Sequence, residues 1–393
     1  MAGSVIIAGA RTPIGKMSGG FASMSAADLG GAAIAGALER AGVNPDQVDY
    51  VFMGHVIQAG AGQMTARQAA TKAGIPMSVP STTVNKVCLS GLNSIYLADQ
   101  MVQSGDADIV VAGGMESMTN APYLLPDARS GMRLGDKSVV DSMMYDGLFC
   151  AFDQCAMGLG TEKYAASAGL EREPQDKIAA ASHARAAAAI KDGLLAEEIV
   201  PVEVPQRRGD PVVVDTDEGV RVETTEESLG KLRPAFDKAG NITAGNASQI
   251  SDGASAVVVM SKAKAEELGL SPMGEILGYG QVAGPDPSLL TQPSRSSMLA
   301  LEDAGLSVDD VDLWELNEAF AAVSLASMNE LGISDDIVNV NGGAIALGHP
   351  VGMSGNRLAL TILHELKRRG GGTGVAALCG GGGQGDAIVL RTL

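Results

Sequence analysis

Reactive side chains are scarce in this 393-residue chain, which has 4 cysteines, 4 histidines and 1 tryptophan. Cys88, Cys150, Cys155 and Cys379 are too few and too irregularly spaced for a disulfide framework. No grouping of them with histidine has zinc-ligand spacing, so no metal is expected. Cys150 and Cys155 read as plain thiols. Basic residues are also short, 28 Lys and Arg against 46 Asp and Glu, for a net charge of −18. That balance argues against a nucleic-acid partner, which needs a basic face. It also means that any polyanionic ligand must be held by a local basic patch. Nowhere does an apolar run approach the ~18 residues of a membrane span. The opening MAGSVIIAGARTP carries a run too short for a secretion signal. A cytoplasmic protein with no membrane partner is expected.

Glycine is plentiful, with 51 residues, and the 46% hydrophobic and 19% charged content describes a globular protein with a large core. The length predicts two or three domains. Ser4–Ala10 reads as a buried strand, Ala26–Arg40 as a helix, Val48–Met53 as a strand, and Ala66–Gly74 as a short helix. Thr82–Val87 is strand-like and delivers Cys88 at its end. A helix from Ser90 to about Gln103 and a strand Asp108–Ala112 follow. This alternation predicts an α/β fold with a largely parallel sheet.

An internal repeat organises the chain. ALERAGVNPDQVDYVFMG at Ala37–Gly54 returns as ALEDAGLSVDDVDLWELN at Ala300–Asn317, and the Ser-Gly that opens a helix at Ser90 returns at Ser354. The two displacements, 263 and 264 residues, agree within one. Two similar α/β halves follow, with Cys88 and His349 at equivalent places and each on a loop at a strand end, where open α/β sheets bind ligands. Glu116–Ala247 lies outside the repeat and reads as an insertion. It is Met-rich early, has an Ala-rich helix over Asp176–Asp192, and has paired extended segments over Pro201–Val214. After it, a helix is expected to feed a strand at Ala256–Met260.

Three reactive residues stand in glycine-rich surroundings. Cys88 precedes a helix whose free amides and dipole favour a thiolate; alone, it reads equally as a core thiol. His349 is set in a Gly348–Pro350 turn, where a histidine is often merely satisfied by its neighbours. Cys379 ends an apolar strand and opens CGGGGQG, a run of amides suited to an anion nest. Asn317 follows a strand, either pointing into a cleft or capping a turn.

The combined motifs NKVCLSG (Asn85–Gly91), VVAGGMESM (Val110–Met118), ITAGNASQISDGA (Ile242–Ala254), NEAFA (Asn317–Ala321), GGAIALGHPVGMSG (Gly342–Gly355) and CGGGGQGDA (Cys379–Ala387) resemble the thiolase family, of the acetyl-CoA acetyltransferase type, along the whole chain. The resemblance implies two α/β halves forming a five-layered α-β-α-β-α core with an inserted loop domain. We place the N-terminal half at residues 1–118 plus 248–272, the loop domain at 119–247 and the C-terminal half at 273–393. It also implies thiolysis of acetoacetyl-CoA or another short 3-ketoacyl-CoA by CoA, and the reverse Claisen condensation. CoA thioesters are the substrates and no cofactor is tightly bound. Cys88 then resembles the acylated nucleophile, His349 the base that activates it, and Cys379 the acid/base for the α-proton. Asn317 resembles the holder of an oxyanion-hole water, and the amides of Cys88 and Gly381 resemble a second oxyanion hole. Arg221 resembles the residue near adenine, Ser248 the one near pantetheine, and Met157, Ala319 and Phe320 further CoA contacts.

The chain departs from short-chain relatives at Ala156, where they often carry histidine, and in DPSLLTQPSRSS, which lacks their MGTGP run. LGDKSVVDSMMYDGL resembles their tetramer-forming loop, so a homotetramer is expected. The alternatives are a broader-chain 3-ketoacyl-CoA thiolase of fatty-acid β-oxidation, a ketoacyl or hydroxymethylglutaryl-CoA synthase relative, and a non-catalytic acyl-CoA-binding relative. CGGGGQG and NEAF disfavour the synthases, and the presence of all four of Cys88, Asn317, His349 and Cys379 disfavours the last.

Overall fold

The computed structural model describes residues 4–392. The first half runs β1 (Ser4–Arg11), α1 (Ala26–Ala41), β2 (Tyr50–Gly54), α2 (Thr65–Lys72), β3 (Ser81–Val84), α3 (Ser90–Ser104) and β4 (Ile109–Ser117). α1 starts where sequence signals place it: the Ser25 hydroxyl accepts from the Asp28 amide and the Asp28 carboxylate answers at the Ser25 amide. Gly42, at φ 66°, closes it. Residues 119–247 then contribute α4 (Met157–Ser167), α5 (Arg172–Lys191) and short hairpins, among them Val202–Val204 with Val212–Val214. β5 (Ser251–Ser261) completes the first half, and the second half adds β6 (Gly274–Ala283), α6 (Gln292–Ala304), β7 (Leu313–Leu316), α7 (Ala321–Leu331), α8 (Ser354–Arg368), β8 (Thr373–Gly380) and β9 (Gln384–Thr392).

The strand order is β7-β8-β9-β6-β1-β5-β4-β2-β3. Among the described residues only two register pairs, Val5 with Glu275 and Ile6 with Gly274, join β1 to β6, so the path is two sheets meeting at a corner. Alternate residues on each strand face opposite layers, which sorts the core into three sheets of apolar contact. Val5, Ile7 and Val111 pack outward with Leu29 and Ile34 of α1 and Ala69 of α2. Ile6, Val110 and Ala112 face the other way, onto α3 and α8, and Ala376, Leu378 and Ile388 of the second sheet meet the same two helices from the far side. Trp314, Val375, Ala377 and Val389 face outward again, against α5, α6 and α7. The result is a five-layered α-β-α-β-α core.

Three expectations change. The sheet is not largely parallel: β2 pairs parallel with β3 and β4, and β7 with β8, but every other pairing on the path is antiparallel. β8 turns directly into β9 through Gly381–Gly383, a connection that only antiparallel strands permit. No helix feeds Ala256–Met260, because residues 247–250 are irregular and β5 already begins at Ser251. The strand before Cys88 stops at Val84, and Val87 adopts φ 51°, left-handed and unfavourable for a β-branched residue.

The two SG pairs of the repeat explain how the halves meet. A Cβ at Gly91 would lie 2.8 Å from the Gly352 and Met353 carbonyl oxygens, and one at Gly355 would lie 2.5 Å from the Leu92 amide. α3 and α8 therefore touch backbone to backbone at their N-termini, where a side chain on either would hold them apart. Gly54 and Gly114 line the same seat, at 2.7 and 1.9 Å from the Gly352 oxygen for an added Cβ. Cys88, two residues before α3, and His349, five before α8, are thereby delivered to one place.

Candidate active site

Cys88 sits in a tight knuckle built by its neighbours. The Asn85 side-chain oxygen accepts the Val87 N–H at 3.1 Å, and the Ser90 hydroxyl accepts from the Lys86 amide at 2.8 Å and donates to the Val87 carbonyl at 2.6 Å. These bonds hold Val87 in its left-handed conformation, which costs about 1–3 kcal/mol elsewhere. The Lys86 ammonium anchors the knuckle to the other half through Asp386, at 2.7 Å, which also accepts from the Tyr279 hydroxyl at 2.8 Å. The amides of Cys88 and Gly381 favour a charged Cys88 sulfur.

His349 is placed from the opposite side. Gly348 has φ 114°, and an added Cβ there would stand 2.3 Å from the Ser251 hydroxyl, so only glycine fits. The His349 amide donates to the Gln249 carbonyl at 3.1 Å. Its Nδ1 lies 2.6 Å from the Ser354 hydroxyl, which itself donates to the Pro350 carbonyl at 3.0 Å. With that proton committed, Ser354 accepts from Nδ1–H, and Nε2 carries the free lone pair. Asn317 Nδ2 lies 3.4 Å from Nε2. The Asn317 Oδ1 is buried without a protein partner among the described residues, an acceptor suited to a water or ligand. Asn317 is held by its own amide, which donates to Ala377 of β8 at 3.0 Å. Glu318 behind it accepts from Ser182, Asn339 and the Ile345 amide, which fixes the loop.

Glu116, fully buried, ties the halves together. It accepts from the Val56, Ile57 and Gly352 amides at 3.0, 3.1 and 3.0 Å, so the loop after His349 is bonded to the first half. Sequence reading missed Glu116 and Ser354 as site residues although both lie inside quoted motifs. Their residue types gave no sign of a buried partner.

One small pocket, about 60 Å³, is lined by Cys88, His349, Cys379, Gly381, Leu148 and Met157, together with Ser248, Ala319 and Phe320. It opens into a cavity of about 520 Å³ that Met157, Ser248, Ala319, Phe320 and His349 share and that reaches Arg221 and Lys16 at its rim. Ala156 lines this cavity with a methyl group. Arg207 and Arg208, in the same insertion as Arg221, lie in the exposed turn between Val202–Val204 and Val212–Val214 and do not line it. Lys16 is a cation that the sequence reading did not select.

Burial dominates the protonation states. It pushes the Cys88 thiol up to about 12, against the pull of the Cys88 and Gly381 amides and with a small push from Glu116. The expected lowering by the helix end is thus outweighed, because desolvating a thiolate costs more than two amides return. Burial also pushes Cys379 far up, and a charge on Cys88 adds to it, so the two sulfurs resist ionising together. Burial, helped by Arg357, pulls His349 down to about 4. At neutral pH the site therefore holds two thiols and a neutral imidazole. Among the described residues no group of three His, Cys, Asp or Glu has metal-holding geometry, and no helix is long and apolar enough to cross a membrane.

Residues 4–263 match the model of the thiolase N-terminal domain and residues 270–392 that of the thiolase C-terminal domain. A probable acetyl-CoA acetyltransferase of Mycobacterium tuberculosis is 57% identical over 391 residues, covering 100% of both chains. The acetyl-CoA acetyltransferase of Cupriavidus necator is 52% identical over 98% of both. The crystal structure of the Bacillus anthracis acetyl-CoA acetyltransferase superposes with a TM-score of 0.97 at 40% identity, covering 100% of this chain and 99% of that one.

Proposed function

The chain belongs to the thiolase family, and from that premise we propose that it is an acetyl-CoA C-acetyltransferase. It cleaves acetoacetyl-CoA, or another short 3-ketoacyl-CoA, with CoA and runs the reverse condensation through an acyl-Cys88 thioester. The observation that carries this reading is the meeting of Cys88, His349 and Cys379 in one pocket at the inner end of a cavity rimmed by Arg221.

The protonation states dictate the order of steps. Neutral His349 takes the Cys88 proton at Nε2 as the sulfur attacks the acetyl-CoA carbonyl. The tetrahedral oxyanion is met by donors whose removal typically costs on the order of 10²–10³ in rate. As the intermediate collapses, the departing CoA thiolate takes the Cys379 proton. This leaves acyl-Cys88, imidazolium and the Cys379 thiolate. Acylated Cys88 can no longer carry the charge that would oppose ionisation of Cys379, so the first half-reaction prepares the base of the second. Cys379 then takes the α-proton of a second acetyl-CoA, with the enolate oxygen accepting from the imidazolium and from a water on Asn317. The enolate carbon attacks acyl-Cys88, the new oxyanion accepts from the Cys88 and Gly381 amides, and Cys88 leaves with the proton held on His349. Each group ends as it began, and the sequence reverses for thiolysis.

Three further readings belong to this proposal. Arg221 and Lys16 offset the net negative charge where the CoA phosphates approach. The exposed Tyr123, Leu125, Leu134 and Val139 support an arm that meets other subunits in a homotetramer. The divisions at 118, 247 and 272 are the domain boundaries we assign. Thiolysis of acetoacetyl-CoA, followed as loss of its enolate absorbance, tests the function. Turnover of acetoacetyl-CoA well above that of long 3-ketoacyl-CoA is expected. No cleavage of either would overturn the reading, and preference for the long chain would favour the β-oxidation alternative.

A further inference from the structure

We propose that Cys150 and Cys155 form a reversible dithiol–disulfide site, oxidised by hydroperoxides, in the hairpin beside the acyl pocket. The four-residue gap between them carries no recognisable signal, but the fold sets them face to face. Phe149–Cys150 and Cys155–Ala156 pair antiparallel, with Phe149 opposite Ala156 and Cys150 opposite Cys155. Directly opposed residues of an antiparallel ladder have Cα atoms about 4.5–5.5 Å apart and side chains on one face. A disulfide needs about 4.4–6.8 Å. The backbone already stands at bridging separation.

Both cysteines also border the space over Gly160 of α4. A Cβ added there would lie 3.6 Å from the Cys155 sulfur, and a small cavity over the same glycine is lined by Cys150, Asp153 and Tyr164. The missing side chain leaves room for the two sulfurs to approach. The Asp153 amide, inside the turn, donates to the Cys150 sulfur at 3.3 Å and holds it over the hairpin. Both cysteines are buried and free, yet Cys150 lines a cavity of about 550 Å³ that runs past Gln58 and Asn85 to the exposed Phe152. A small oxidant therefore reaches Cys150, whereas Cys155 does not line that cavity.

The chemistry closes without a further reactant. The Cys150 thiolate attacks the outer oxygen of a hydroperoxide, the O–O bond breaks, and a sulfenic acid forms as the alcohol (water, from hydrogen peroxide) leaves. The Cys155 thiolate then attacks the Cys150 sulfur, the S–S bond forms and hydroxide departs as water. Two thiols lose two electrons and two protons, and the peroxide gains them. A thiol reductant reverses the step. The consequence is local: Leu148 and Met157 flank the hairpin and line the catalytic pocket, so the bridge pins one wall of it. None of this depends on the acyl-transfer reading.

The full-length chain carrying Cys88→Ser and Cys379→Ser retains only Cys150 and Cys155 as thiols and gives the test. Hydrogen peroxide is expected to reduce the denatured thiol count from two to none. A peptide linking 150 to 155 should appear with the loss of two hydrogens, and dithiothreitol should restore both thiols. Adding Cys150→Ser is expected to leave the Cys155 thiol intact at the same dose. Two persistent thiols, or added oxygen on either cysteine with the other still free, would overturn the proposal. The same peptide mapped in the wild-type chain is an independent check, and there a bridge from Cys150 or Cys155 to Cys88 or Cys379 would overturn it.

Discussion

Gly114→Ala changes one hydrogen to a methyl at a position that lines neither the catalytic pocket nor the larger cavity, yet it should disable the site. The added Cβ would stand 1.9 Å from the Gly352 carbonyl oxygen and 2.8 Å from its carbon, both backbone atoms that no rotamer change can move. Reaching even a close C···O contact of about 3.3 Å requires a shift of about 1.4 Å. The segment that must move is the His349 loop, three residues before Gly352, which Glu116 also holds through the Gly352 amide. Overpacking of this kind costs typically ~1–3 kcal/mol, and with backbone on both sides the upper end is expected. Misplacing a catalytic group by about 1 Å costs on the order of 100-fold in rate. We expect Gly114→Ala to lose about that much kcat in acetoacetyl-CoA thiolysis and to unfold at clearly lower urea. Gly230→Ala, where an added Cβ meets nothing within 4 Å, is the control and should behave as wild type. A Gly114→Ala enzyme with wild-type kcat and an unchanged urea midpoint would refute the idea that this seat positions His349.

Further consequences concern pH and charge. His349 is drawn down from 6.5 to about 4 in the folded chain, so the unfolded chain binds the extra proton between those values. Stability should therefore rise with pH through that window, His349 accounting for about 3 kcal/mol lost below pH 4. His349→Asn should show a shallower stability slope between pH 6.5 and 4, and a slope equal to wild type would remove His349 as its source. Arg221→Ala should raise KM for CoA several-fold, most at low ionic strength and with little change in kcat; an unchanged KM at every salt concentration would take Arg221 out of the site. Asn317→Ala should lower kcat by on the order of 10²–10³, with the fold retained by circular dichroism, and a loss under threefold would exclude it as the holder of an oxyanion water.

The features legible in the sequence were those written in local pattern. The repeat predicted two α/β halves, and its two SG pairs prove to be the points where α3 and α8 touch. The helix over Ala26–Arg40 followed from adjacent residues alone. Strand direction did not follow, because the pairing of β4 with β5 brings Met115 against Ala254 across 139 residues, a choice made by tertiary packing. The helix expected before Ala256 failed for the same reason: residues 247–250 are held by Ala319, Phe320 and His349 from the other half. Cys88 was legible as a reactive position, but not the sign of its pKa shift, which depends on how deeply the pocket is buried. The pairing of Cys150 with Cys155 was invisible, since spacing does not reveal which hairpin residues lie opposite each other.

The division of labour between the two pocket cysteines is the central claim, and proton exchange tests it most directly. Cys379→Ser removes the α-proton base while leaving Cys88, His349 and both oxyanion sites in place. Incubated with acetyl-CoA, this variant should still carry a mass-mapped acetyl group on Cys88. It should fail to exchange the acetyl methyl protons of bound acetyl-CoA with deuterated solvent, because a serine hydroxyl is a far weaker acid than a thiol. Misfolding would abolish both signals together. Retained acylation with lost exchange is the predicted result; exchange at the wild-type rate in Cys379→Ser would contradict the account and assign the base to another group.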